Sequence, residues 1–260
     1  MRTEFARYSQ RCLAEVLKET ARRCGGKTVE EHGLLLVSGT HPCPIFVNSA
    51  LRLGHMGAEE AFDRAAAFFA ECGHGYEFWV REGVDDDLEK AASQSGMRFA
   101  AESRGMVLQK IPEEPQLLPG IEARRVESSL DFLDFRDIVA EGFQDEAPGC
   151  SDLVRSIFPV QATLSRADTA AFVVYADGKP ASASMTIVKE RVAWIGWVAT
   201  RKESRGRGLG RLATVAATRA GFMLGATLAS LEATRMGVPV YLRIGFREVL
   251  RYRSYWPGGA

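Results

Sequence analysis

Hydrophobic positions recur along this chain with two periods, and the changes of period mark its elements. Phe5, Tyr8, Cys12, Leu13, Val16, Leu17 and Ala21 fall at helical intervals, so a helix is predicted over 5–24, stopped by Gly25-Gly26. Strands are predicted over 33–38 and 46–53, with the turn His41-Pro42-Cys43-Pro44 between them. Residues 58–72 form a strong helical pattern, with Ala61, Ala65, Phe68 and Phe69 on one side and Gly73 as its stop. A short strand over 76–80 and a helix over 84–95 follow. Asp85-Asp86-Asp87 suits the positive N-terminus of that helix. Residues 97–109 read as a strand pair or hairpin around Glu102-Ser103-Arg104-Gly105. A proline-rich stretch over 111–120 then breaks the pattern and reads as a linker.

The second half begins with a strand over 121–126 and a helix over 130–143, entered through Ser128 or Ser129 as N-cap. A polar loop over 144–151, with Asp145, Glu146 and Pro148, leads to a second helix over 153–164. Strands are predicted over 170–175, 181–188 and 191–199, the first two joined by a hairpin turn at Asp177-Gly178-Lys179-Pro180. A helix over 208–224, a strand over 226–233, a short helix over 238–244 and a strand over 246–255 complete the chain. This alternation is that of an α/β protein with a mixed sheet.

At 260 residues the chain is long enough for two domains. Its 46% hydrophobic and 25% charged residues are those of an ordinary globular protein. A formal net charge of zero gives no reason to expect a nucleic-acid partner or a membrane surface. No apolar run approaches the roughly 20 residues that span a bilayer, and residues 1–25 lack a signal-peptide core. Cys12, Cys24, Cys43, Cys72 and Cys150 are odd in number and scattered, which fits reduced thiols and a cytoplasmic location. No pair has metal-ligand spacing, so no metal is expected.

The chemistry centres on Arg205-Gly206-Arg207-Gly208-Leu209-Gly210, between an apolar strand and a helix. Glycines let backbone approach a ligand closely, and the N–H groups of the first helical turn attract anions. Arg201, Lys202, Arg205, Arg207 and Arg211 crowd this turn against one acid, Glu203. A P-loop would need Gly-Lys-Ser/Thr, and here Arg211 follows Gly210. The three glycines also have the wrong spacing for a dinucleotide fingerprint. A diphosphate held by Arg-x-x-Gly-x-Gly remains, against the blander alternative of a solvated, capped turn.

This motif after an apolar strand resembles the acyl-CoA pyrophosphate loop of the GNAT superfamily of N-acyltransferases. Tyr241-Leu242-Arg243-Ile244-Gly245-Phe246 resembles the family's Tyr-x-x-x-Gly-Phe segment. The resemblance covers residues 121–256 and implies an intact GNAT domain over 121–260. The element order over 1–115 resembles a worn GNAT domain without the acyl-CoA turn, so two such domains in tandem are expected. Its role would be structural or substrate-shaping.

The resemblance implies acetyl-CoA as co-substrate and a small amine or peptide amine as acceptor. It leaves room for a homodimer. It implies that the backbone of Trp197, Val198, Ala199 and Thr200 holds the pantetheine arm. The diphosphate would lie on Arg205, Gly206, Arg207, Gly208, Leu209, Gly210 and Arg211. Gly196 suits either a bulge or close backbone approach, or room for a neighbouring side chain. Tyr241 is the candidate acid for the departing thiolate. Gly245 and Phe246 read as helix cap and core aromatic. No histidine occurs after His74, so the base is sought among carboxylates. Glu232, sharing a strand face with Ser230 and Thr234, is the candidate, acting through water; a sheet-edge ion pair is the other reading. Asp145 and Glu146 border the substrate cleft in the family, where they would attract a cationic amine or simply be solvated. The asparagine that often precedes the tyrosine helix is absent, and Thr234 is its candidate substitute. A CoA-binding module without turnover is the competing function.

Overall fold

The computed structural model describes residues 2–43, 47–144, 154, 157 and 166–257. The predicted loop over 144–151, with Asp145 and Glu146, and the predicted helix over 153–164 fall almost wholly outside these. Contacts between Cα atoms divide the chain into two compact units, Met1–Gly105 with Glu248–Ala260, and Met106–Arg247. The linear division at the linker assigns the C-terminal strand to the second half, whereas its contacts belong to the first unit.

The first unit holds helices α1 (Arg2–Arg23), α2 (Ala58–Cys72) and α3 (Asp86–Gln94). Its strands are β1 (Lys27–Glu31), β2 (Leu34–Ser38), β3 (Ser49–Arg52), β4 (Glu77–Arg81), β5 (Arg98–Leu108) and β11 (Arg247–Trp256), in the order β1-β2-β3-β4-β11-β5. β5 and β11 cross the boundary between the units at their ends. Phe62, Phe69, Phe78 and Leu88 fill the core under α2. Strand β1 carries too few apolar residues to be read from periodicity; it pairs with β2 through a left-handed His32-Gly33 turn. Arg98–Leu108 is one strand, not the expected strand pair or hairpin. Gly105 made the stretch look like a turn, but a Cβ there would come 3.0 Å from the Leu250 side chain, so the glycine makes room for β11. The carboxylate of Asp85 does not cap α3. It accepts from Arg52 and Arg81 instead. Cys12, Cys24 and Cys72 are free. Cys43 is disulfide-bonded, which corrects the expectation of reduced thiols throughout. Scatter along the chain says nothing about distance in space.

The second unit holds β6 (Ile121–Arg125), α4 (Ser129–Gly142), β7 (Thr169–Ala176), β8 (Lys179–Lys189), β9 (Val192–Thr200), α5 (Leu209–Met223), β10 (Leu228–Ala233) and α6 (Val238–Ile244). Its strand order is β10-β9-β8-β7-β6, with the end of β5 beside β10. Strands β6 to β9 are antiparallel neighbours, and β10 runs parallel to β9. A parallel pair needs a crossover, and α5 provides it. Ser128 caps α4 in a reciprocal capping box with Asp131. The two faces carry different helices. Gly221 of α5 lies against Ala193 and Thr186, and Gly142 of α4 lies against Ala199. The same strand–helix–parallel strand crossover occurs in the first unit as β3–α2–β4. There the first helical turn carries Glu59 and Glu60. Acids in that position repel an anion, in keeping with the missing glycine turn.

Candidate active site

Strands β9 and β10 pair only at their beginnings. The register runs Leu228↔Val192, Ala229↔Ala193 and Ser230↔Trp194, and ends there. Beyond it β9 continues to Thr200 and β10 to Ala233 without pairing to each other. The parallel strands part there, and the β10-facing side of Trp197, Val198, Ala199 and Thr200 forms one wall of the cleft between them.

A bulge reshapes that wall. Met185 pairs with Gly196 and Ala183 with Ala199, so Ser184 alone opposes Trp197 and Val198. Trp197 takes a left-handed φ of 53°, uncommon for a bulky residue and frequent at functional sites. The extra residue reverses which way the following side chains face. Ala199 therefore joins Gly196 on the α4 side, and Thr200 turns toward α5. Its Oγ1 lies 2.9 Å from Ser182 Oγ and 3.0 Å from where a Cβ on Gly210 would stand. Without the bulge Thr200 would point away from the glycine turn. Phe143 packs edge-on against the Trp197 ring and steadies the bulge.

The turn follows at once. A single 3-10 turn, Lys202–Ser204, leads into Gly206 and Gly208, both at φ 79°. Gly208 is the N-cap of α5 and offers no side-chain hydrogen bond, so the first N–H groups of α5 lack a cap from its own N-cap residue. Nothing lies within 4 Å of a Cβ built on Gly206 or Gly208. The glycines face open space, not a neighbouring wall. Leu209 is buried with Val174, Ala176 and Ala181 and anchors the helix start. Arg205 folds back, its Nε donating to the Thr200 carbonyl at 3.2 Å, and so ties the turn to the end of β9. Arg207 and Arg211 are exposed, Arg207 lying 3.8 Å from Asp177.

Across the cleft, Glu232 is joined to Trp194. The Trp194 Nε1 donates to Glu232 Oε2 at 2.7 Å. Glu232 keeps some exposed surface, but its Oε1 is sealed from solvent and has no hydrogen-bond partner. Desolvation pushes the carboxyl up to about 7, against the opposing Trp194 hydrogen bond. No cation pairs with it among the described residues, so the edge ion-pair reading of Glu232 is corrected. The indole occupies the space beside Gly196: a Cβ there would stand 1.8 Å from the Trp194 ring. Of the two readings of Gly196, the structure selects room for a neighbour, and the bulge begins at the next residue. Gly196→Ala is expected to expel the indole and destabilise the fold by about 1–3 kcal/mol, read as a lower denaturant midpoint.

Tyr241 is nearly buried on α6, its ring edge-on to Phe246 and close over Gly237. Gly245 ends α6 in the left-handed conformation at φ 106°, and Phe246 is in the core, both as expected. Thr234 lies just past β10, where its carbonyl accepts from Gly237 and Val238 and starts α6. β10 and α6 thus carry Glu232 and Tyr241 in sequence, while β9 and α5 carry the backbone wall and the turn. The role of Trp194 as the partner of Glu232 depends on the β9–β10 register, which no local pattern reports. Among the described residues there is no cluster able to hold a metal, and no helix long and apolar enough to cross a membrane.

No protein-family model matches the sequence, and no curated protein does. Solved structures do match in fold. A GCN5-related N-acetyltransferase from Kribbella flavida aligns with TM-score 0.74 at 19% identity, over 95% of this chain and 96% of that one. A functionally unknown conserved protein from Staphylococcus epidermidis aligns with TM-score 0.68 at 13% identity, over 90% and 94%. A tandem GNAT protein from the clavulanic acid biosynthesis pathway aligns with TM-score 0.58 at 14% identity, over 86% and 77%.

Proposed function

We infer that this chain, which has the fold of the GCN5-related N-acetyltransferases, is an acetyl-CoA-dependent N-acetyltransferase acting on a primary amine of a small molecule or peptide. The observation that carries this reading is the opening of β9 from β10 directly before an uncapped glycine turn. Such a cleft offers strand backbone to an amide-bearing arm and helix N–H groups to its diphosphate. The residues assigned chemistry all belong to Met106–Arg247. The transfer resides in the second half, 121–260, and residues 1–115 shape or support it.

In the proposed reaction the amine nitrogen attacks the thioester carbonyl and the C–S bond breaks. The amine must be neutral to attack, and the thiolate must be protonated as it leaves. Glu232, with a carboxyl titrating near 7, takes the amine proton through water. Tyr241 gives its hydroxyl proton to the thiolate and is recharged from solvent. The β10-facing edge of β9 at Trp197, Val198, Ala199 and Thr200 holds the pantetheine arm. The turn from Arg205 to Arg211 holds the diphosphate, and Thr234 stands where α6 meets the cleft.

Calorimetric titration with acetyl-CoA and CoA tests the reading first. Micromolar binding followed by amine-dependent thiol release supports it. Binding without release to any amine would leave a CoA-binding module. Tyr241→Phe is expected to slow turnover about 100-fold with CoA affinity within twofold. A rate unchanged across pH removes Tyr241 from the mechanism.

A further inference from the structure

A second charged feature adjoins the turn. An open depression of about 520 Å³ lies between the stretch after β5, the first turns of α5 and the end of α6. Lys110, Arg211, Arg243 and Arg247 line it against a single acid, Glu113. Arg247 donates to Gln109. Lys110, Arg211 and Arg243 are exposed, and their side chains make no hydrogen bond or ion pair among the described residues. Arg243 complements the C-terminal carbonyls of α6, but that accounts for one cation and not for several around one hollow. Like charges gathered this way repel unless an anion joins them. Val215 and Ile244 give the hollow an apolar wall, which suits a phosphate carried on an organic group better than a free ion. Arg211 belongs to both features: it lines the hollow and sits in the first turn of α5, after Gly208.

We propose that this depression is a phosphomonoester site, in which Lys110 and Arg243 grip the phosphate and Arg211 links it to the diphosphate turn. The proposal rests on the acyl-CoA reading, because CoA carries a 3′-phosphate on the same nucleotide as its diphosphate. A smaller free phosphomonoester would meet the same cations. Phosphate oxygens accept charge-assisted hydrogen bonds from Lys and Arg, and both residues are free to donate.

The test titrates the full chain with CoA and with 3′-dephospho-CoA, for the wild type and for the Lys110→Ala/Arg243→Ala double variant. Both positions are exposed, so the fold is expected to hold, as a thermal melt verifies. The wild type should prefer CoA by about tenfold or more. The double variant should lose that preference and bind 3′-dephospho-CoA as the wild type does. A wild type without preference, or a variant that keeps it, overturns the proposal. If the wild type binds neither ligand, the acyl-CoA reading fails. Adenosine 3′-monophosphate then decides the depression by itself: binding lost in the double variant supports it, and no binding to the wild type overturns it.

Discussion

Glu232→Gln will cut turnover by about 100- to 1,000-fold and, above pH 7, raise the thermal stability of the protein. Both effects come from one fact. The carboxyl of Glu232 is sealed on one oxygen, held by Trp194 on the other, and titrates near 7 instead of near 4.5. A base of that strength is half ionised at neutral pH, where a proton acceptor is most effective. The rate of the wild type should therefore rise with pH to a plateau above about 7, and the variant should lack this limb.

The stability effect has a definite sign. The folded protein holds the proton more tightly than the unfolded chain, so folding favours the neutral carboxyl. The stability tied to that proton is fully present below about 4.5 and is lost as pH rises through about 7. Glutamine keeps the shape and an oxygen for Trp194 but carries no charge. The variant should match the wild type at acid pH and exceed it by on the order of 1–3 kcal/mol above pH 7. Thermal melts from pH 4 to pH 8 measure this. A rate unchanged by the substitution removes Glu232 as base. Equal melts at every pH would mean that folding leaves the proton affinity of this carboxyl unchanged.

Gly208→Val is the second large effect: acetyl-CoA affinity should fall by about 100-fold or more while the fold survives. At φ 79° the residue sits where only glycine rests without strain, so valine costs about 1–2 kcal/mol locally. A domain with ordinary stability absorbs that. Binding does not, because the space beside Gly208 is empty in the protein and is the side from which a diphosphate would approach. A side chain there fills the ligand's place. Gly210→Val should act similarly by a different route, pressing on the Thr200 hydroxyl 3.0 Å away and displacing the end of β9. Calorimetry reads both, and wild-type affinity in the two variants would refute the turn as the diphosphate site.

What the sequence determined by itself was local. Helix α2 has its predicted bounds because its apolar residues recur at helical intervals and Gly73 adopts the left-handed stop. Ser128 caps α4 and Gly245 ends α6 for equally short-range reasons, a side chain bonding three residues on and a glycine at positive φ. The turn from Arg205 to Gly210 was legible because its whole construction lies within one run of chain. The tertiary structure decided everything that joins distant segments. The Trp194–Glu232 bond spans 38 positions and exists because of the parallel register of β9 and β10. The bulge at Trp197 arises from unequal pairing with β8 and turns Thr200 toward α5. Gly105 looked like a turn until Leu250 of another strand was set against it, and β11 packs in the unit that begins the chain. Periodicity and capping depend on interactions within a few residues, which a linear pattern records. Register, bulge and burial depend on which strands become neighbours. That choice also raised the carboxyl of Glu232, ordinary in sequence, to about 7.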